Sequence, residues 1–177
     1  HNFYDYIGID NLTRTIVHLK PNRFIILDFI ETQEGHTFKQ QFNFHPIFDI
    51  FQQIDEQSMV VKSSHENMPS LYMTFHEKPL KISTLRGVHT ASEVQGWYFK
   101  KFNTKQAATT VQAQYKEKNG KVSLPVYIEL LPPSSMTPLK PKLSITAQHH
   151  QVKLEIESPL FHKELMLPRT PRNRHAN

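Results

Sequence analysis

The residues best placed to do chemistry lie between Glu93 and Phe102, where the only tryptophan of the chain, Trp97, follows Gly96 and is followed by Tyr98, Phe99, Lys100 and Lys101. Aromatic faces stack on the C–H faces of sugar rings, and ammonium groups reach uronate or sulfate oxygens. That pattern points to binding of an acidic sugar polymer. Arg86 and His89 lie just upstream and extend the cationic rim. The stretch has poor strand periodicity, so a loop is expected to carry it. An aromatic plug closing one end of a β domain accounts for the same residues equally well.

Eleven histidines raise the question of metal binding. Their spacing argues against it. His36 and His45 are an odd number of positions apart, so on one uninterrupted strand they face opposite ways, and the neighbours His149 and His150 diverge in a turn. No His-x-x-x-His pair occurs. No metal and no cofactor is expected. A Gly-x-Ser-x-Gly elbow, a Gly-x-Gly-x-x-Gly loop and a phosphate-cradling Gly-Lys-Ser/Thr are all absent, so no catalytic residue is assigned. Asp28 stands out inside Phe24 to Ile30, a run otherwise apolar on both faces, and needs a partner if buried. A three-residue loop around Pro21 would place Arg14, His18 and Asp28 on one face. A two-residue loop would place Asp28 beside Thr15 and Val17 instead. An ion pair locking the hairpin is favoured over Asp28 orienting His18 toward a ligand.

These residues must be held by strands. From His36 to His45, Phe38, Phe42 and Phe44 fall on one face and Thr37, Lys39, Gln41 and Asn43 on the other, the alternation of a half-buried strand. Similar readings fit Thr13 to Leu19, Arg23 to Ile30, Ser58 to Ser63, Ser70 to Phe75, Leu80 to Thr84, Thr110 to Lys116, Val122 to Leu131, Leu143 to Gln148 and Val152 to Glu157. Ile47 to Ile54 fits helical spacing as well. Turns are expected at Lys20-Pro21-Asn22, Gln33-Glu34-Gly35, Lys118-Asn119-Gly120 and His149-His150, and a long loop at Leu131 to Pro138. The outcome is an all-β fold, an antiparallel β-sandwich of stacked sheets with about ten to twelve strands.

A chain of 177 residues can bury a core without staples, and with no cysteine it has no disulfide. One domain over residues 1–168 is expected, followed by a basic, disordered tail at 169–177. No apolar run approaches the roughly 20 residues of a membrane helix, so no membrane insertion is expected. The net charge of +5 invites an anionic partner. A basic β domain that binds nucleic acid is the weakest of the three functional classes considered, behind acidic polysaccharide and a cell-surface interaction partner.

Three segments, in order, resemble the C-terminal β-sandwich of heparinase II/III-like polysaccharide lyases. The first runs from Tyr6-Ile7-Gly8-Ile9 through Arg14 and His18 to Asp28; the second is the His36 to His45 strand with its aromatic-histidine ending; the third is Gly96-Trp97-Tyr98 with the strands after it. The resemblance implies that the chain belongs to a larger enzyme whose catalytic α/α-toroid and first sandwich segment lie outside it. Such enzymes cleave uronate polymers by β-elimination. It further implies that the sandwich walls one side of the cleft and contributes contacts to acidic polysaccharide, a task that Trp97, Tyr98, Lys100, Lys101, Arg86 and His45 suit. Alone the chain is expected to be inactive; a secreted, periplasmic or cell-surface setting also follows from the resemblance. The alternative is a stand-alone carbohydrate-binding or cell-surface interaction module without catalysis.

Overall fold

A computed structural model describes residues 8–90, 94–102, 104–133, 137–147 and 151–168. The described residues contain sixteen strands and no helix. In chain order they are β1 (Ile9–Leu19), β2 (Arg23–His36), β3 (Lys39–Phe44), β4 (Ile50–Gln53), β5 (Ser58–Lys62), β6 (Ser70–Phe75), β7 (Lys81–Arg86) and β8 (Val88–His89), followed by β9 (Val94–Gln95), β10 (Trp97–Lys101), β11 (Thr104–Ala107), β12 (Thr109–Gln114), β13 (Lys118–Leu131), β14 (Lys142–Ala147), β15 (Gln151–Ser158) and β16 (Phe161–Pro168).

The strands stack as three antiparallel layers, a β-sandwich with a second covering sheet. A six-stranded sheet of order β1-β2-β13-β6-β5-β4 lies between the sheets β3-β12-β7 and β14-β15-β16. This explains why Phe24 to Ile30 is apolar on both faces. Ile30, Val122, Leu124, Val126, Met73 and Phe75 pack against Phe42, Val111, Ala113 and Tyr115 of one covering sheet, while Ile25, Leu27, Phe29 and Tyr127 pack against Val152, Leu154 and Ile156 of the other. A strand covered on both sides loses its alternation. Pro125 sits in the middle of β13 and is still tolerated. Its carbonyl accepts the His76 N–H at 3.0 Å, so its missing N–H faces the same side, where β6 has ended at Phe75.

The β1–β2 register pairs Leu19 with Arg23 and Arg14 with Asp28, which leaves Lys20, Pro21 and Asn22 as a three-residue loop. Arg14 closes a two-pronged ion pair on Asp28, with Nε and Nη2 each 2.6 Å from a carboxylate oxygen. The Gln40 side chain donates to the same carboxylate at 2.9 Å and to the Leu124 carbonyl at 2.8 Å, and the Tyr115 hydroxyl donates to Gln40 at 2.6 Å. Asp28 is therefore a structural lock. His18 does not depend on it: its ring stacks on Phe24 at 4.6 Å between centroids.

Three expectations are corrected. Gln33-Glu34-Gly35 is no turn but the continuation of β2, and Lys118-Asn119-Gly120 opens β13, with a register shift and a left-handed Gly120 (φ 72°). Both sit at the solvent end of the long β2–β13 pair, where backbone pairing rather than burial maintains the strand. His36 to His45 is not one strand, because β2 ends at His36 and β3 begins at Lys39. Of Ile47 to Ile54, only Ile50–Gln53 is regular, as a short edge strand. The expected His149-His150 turn falls outside the described residues, although β14 and β15 on either side pair antiparallel as a hairpin requires. Residues 169–177 also lie outside them.

Candidate functional site

The candidate residues gather on an insertion between β7 and β12. After Arg86 the chain leaves the three-stranded sheet, forms the small β8–β9 ladder, then the β10–β11 hairpin, and rejoins the sheet at Thr109. Gly96 closes the neck of this excursion. Its carbonyl accepts the N–H groups of Gly87 (2.9 Å) and Ala108 (2.7 Å). At φ 73°, a side chain at Gly96 would bring its Cβ to 2.7 Å from the Gly87 nitrogen and the Leu85 oxygen and 2.8 Å from the Ala108 oxygen, so only glycine fits. Gln112 of β12 adds a tie to Gln95 at 2.7 Å.

Trp97 and Tyr98 therefore lie in a strand, not in a loop, which corrects the reading of this stretch. Strand alternation then separates them. Tyr98 faces His45, the two rings meeting edge-on at 4.7 Å. Thr109, at the end of β12, lies between Phe44 and Arg86 in the three-stranded sheet, and Arg86 donates to its hydroxyl at 3.1 Å. One end of this sheet thus collects His45, Arg86 and Tyr98. A groove beside them is lined by Tyr98, Lys100, Lys101, Thr104, Lys105 and Gln106, and Lys100 and Lys101 are exposed.

Trp97 occupies the other face of the hairpin. It is half-buried, donates its indole N–H to the Val88 carbonyl at 3.0 Å, and lies against Gly87. The Lys105 ammonium sits 4.3 Å from its ring centroid, a cation–π contact. One indole face is thus occupied by a residue of the same hairpin. Lys105 and Gln106 were missed from the sequence, because nothing in a polar tetrapeptide after an unread turn marks its register against Trp97.

Electrostatics at the rim are cationic with one acidic neighbour. Asp49 is held below the usual carboxylate range, first by the Ser64 hydroxyl (2.6 Å) and Ser64 N–H (2.7 Å), with a smaller contribution from the charge of Arg86. The arrangement can bind an anion and stack a ring. Tyr98 and His45 touch through their ring edges.

No family model and no curated protein matches the sequence. The fold does have solved counterparts. Heparan sulfate lyase HepC from Pedobacter heparinus superposes with a TM-score of 0.63 at 9% identity, over 92% of this chain and 24% of that one. A heparinase III gene product gives 0.68 at 12% identity, over 92% and 24%; a further heparinase III structure gives 0.63 at 12%, over 90% and 24%. The chain spans about a quarter of the length of the structures it matches, and it has the fold of a domain of heparinase III-type chains, as the sequence resemblance implied.

Proposed function

We propose that this chain is the β-sandwich domain of a heparinase-like polysaccharide lyase and that it lends an acidic-polysaccharide contact surface to a cleft completed by the rest of a longer polypeptide. The observation that carries the reading is the match over nine-tenths of this chain to about a quarter of heparinase III chains. Tyr98, His45, Arg86, Lys100 and Lys101 form the polymer-facing rim, and Trp97 anchors the hairpin that presents them. In β-elimination a base takes the proton α to the uronate carboxylate. The enolate-like charge that builds up is stabilised by cations or neutral donors, and the glycosidic oxygen departs as the double bond forms. Lysines and arginine on this rim would hold the carboxylates of flanking sugars in register, while the catalytic groups belong to the toroid outside these residues.

The test is retention of the full-length polypeptide on immobilised uronate polymers, acidic against neutral, with Lys100→Gln and Lys101→Gln together. Selective loss of acidic-polymer binding and a raised KM are expected. Equal loss on both polymers, or none, rejects the cationic rim. Polymer binding in a full-length polypeptide that lacks any lyase activity would favour the stand-alone binding module instead.

A further inference from the structure

We propose that the tip of the β10–β11 hairpin is a contact site for an anionic lipid surface, adjoining the polysaccharide rim and sharing Lys101 with it. Its residues are Phe99, Lys101, Phe102 and Lys105, which line one shared depression. Phe99 is 65% and Phe102 93% exposed. Phenylalanine has no polar atom to keep in water, so two such rings at the end of a projecting hairpin leave apolar area uncovered without a local reason.

Three features favour a lipid surface. First, residues 94–107 include three lysines and no aspartate or glutamate, so the charge of this stretch is complementary to anionic headgroups. Second, the hairpin forms a two-stranded sheet of its own, outside the hydrogen-bonded ladders of the main sheets, so its tip can meet a flat surface. Third, apolar and cationic groups adjoin at the tip: Phe99 pairs with Lys105, and toward the turn Lys101 pairs with Thr104 and is followed by Phe102. A bilayer interface offers hydrocarbon to the rings and, in the layer just above, phosphate to ammonium groups on flexible stems. A hydrated polyanion offers only the second. The tip rests on the surface and crosses nothing; among the described residues no helix is long and apolar enough to cross a membrane.

The experiment is co-sedimentation of the full chain with vesicles of phosphatidylcholine alone and of phosphatidylcholine doped with phosphatidylglycerol, at low and physiological salt. Stronger partitioning to the doped vesicles is expected. Lys101→Gln with Lys105→Gln should weaken it by about twenty-fivefold, at about fivefold per lysine, and Phe99→Ser with Phe102→Ser by about tenfold. Unchanged thermal unfolding shows that the tip variants still fold, as their exposure requires. The proposal is overturned by absent partitioning or by equal partitioning to neutral vesicles. It is also overturned if the serine variant binds as the unsubstituted chain does, since the lysines would then be acting as charge alone. Retention on uronate polymers is scored separately, so failure here leaves the polysaccharide reading intact.

Discussion

Arg14 and Asp28 stand directly opposite each other on β1 and β2 and share two hydrogen bonds of 2.6 Å. The pair spans a gradient of solvent: the Arg14 side chain is 44% exposed and that of Asp28 only 8%. The Asp28 contact raises the Arg14 guanidinium further above its ordinary range. Removing either partner therefore has unequal consequences. Arg14→Met leaves the nearly buried Asp28 carboxylate with the Gln40 amide but no counterion, and should cost about 3 kcal/mol in urea denaturation. Asp28→Ala leaves a half-exposed cation that water can reach and frees the Gln40 amide, and should cost less, about 1 to 2 kcal/mol.

His76 gives the domain an acid sensitivity of known sign. Burial pushes its imidazole down from 6.5 to about 4. Between these values the unfolded chain takes up a proton that the folded chain refuses, so the folded state is fully stable above about pH 6.5 and loses stability as pH falls toward 4. The loss from this one group is on the order of 3 kcal/mol. Denaturation of the His76→Leu variant at several pH values should show a shallower acid slope than the unsubstituted chain; parallel slopes would remove His76 from the account.

Gly96→Ala tests the neck of the insertion. The left-handed backbone alone costs a non-glycine residue about 1 to 3 kcal/mol, and the displaced carbonyl gives up the N–H groups of Gly87 and Ala108. A lowered thermal midpoint together with weakened polymer retention is expected. Weakened retention without any loss of stability would mean that the neck positions the hairpin but does not hold the fold.

Tyr98 and Trp97 should part company on substitution. Tyr98→Ala removes an edge contact with His45 at the rim and should weaken polymer binding by about 1 to 2 kcal/mol, with the unfolding midpoint nearly unchanged. Trp97→Ala removes a packed, hydrogen-bonded ring and should lower both affinity and stability. Calorimetry and thermal unfolding on the same samples separate the two effects.

Strand alternation made most of the sheets legible in advance. Ser70 to Phe75 was read to the residue, and the Arg14–Asp28 pairing was one of two registers left open by the Pro21 loop. Alternation revealed two strands of the third layer but not β16, which carries exposed His162, Lys163 and Glu164 in a row and reads as a polar segment. Nor could it reveal the hairpin: Trp97 and Tyr98 lie in a strand that stands apart from the main sheets, so both of its faces are partly wet and its residues show no burial period. The division of Trp97 from Tyr98 follows only once that strand is recognised.

The central ladder joins segments from distant parts of the chain. In it, β2 begins at Arg23 while its partner β13 begins at Lys118. Closing so wide a loop before any of its contacts form is entropically slow. During synthesis, the residues between β2 and β13 would leave the ribosome with the inner edge of β2 still unpaired, a sticky template until β13 arrives. Assembly of the whole stack is thus timed by the emergence of one late strand.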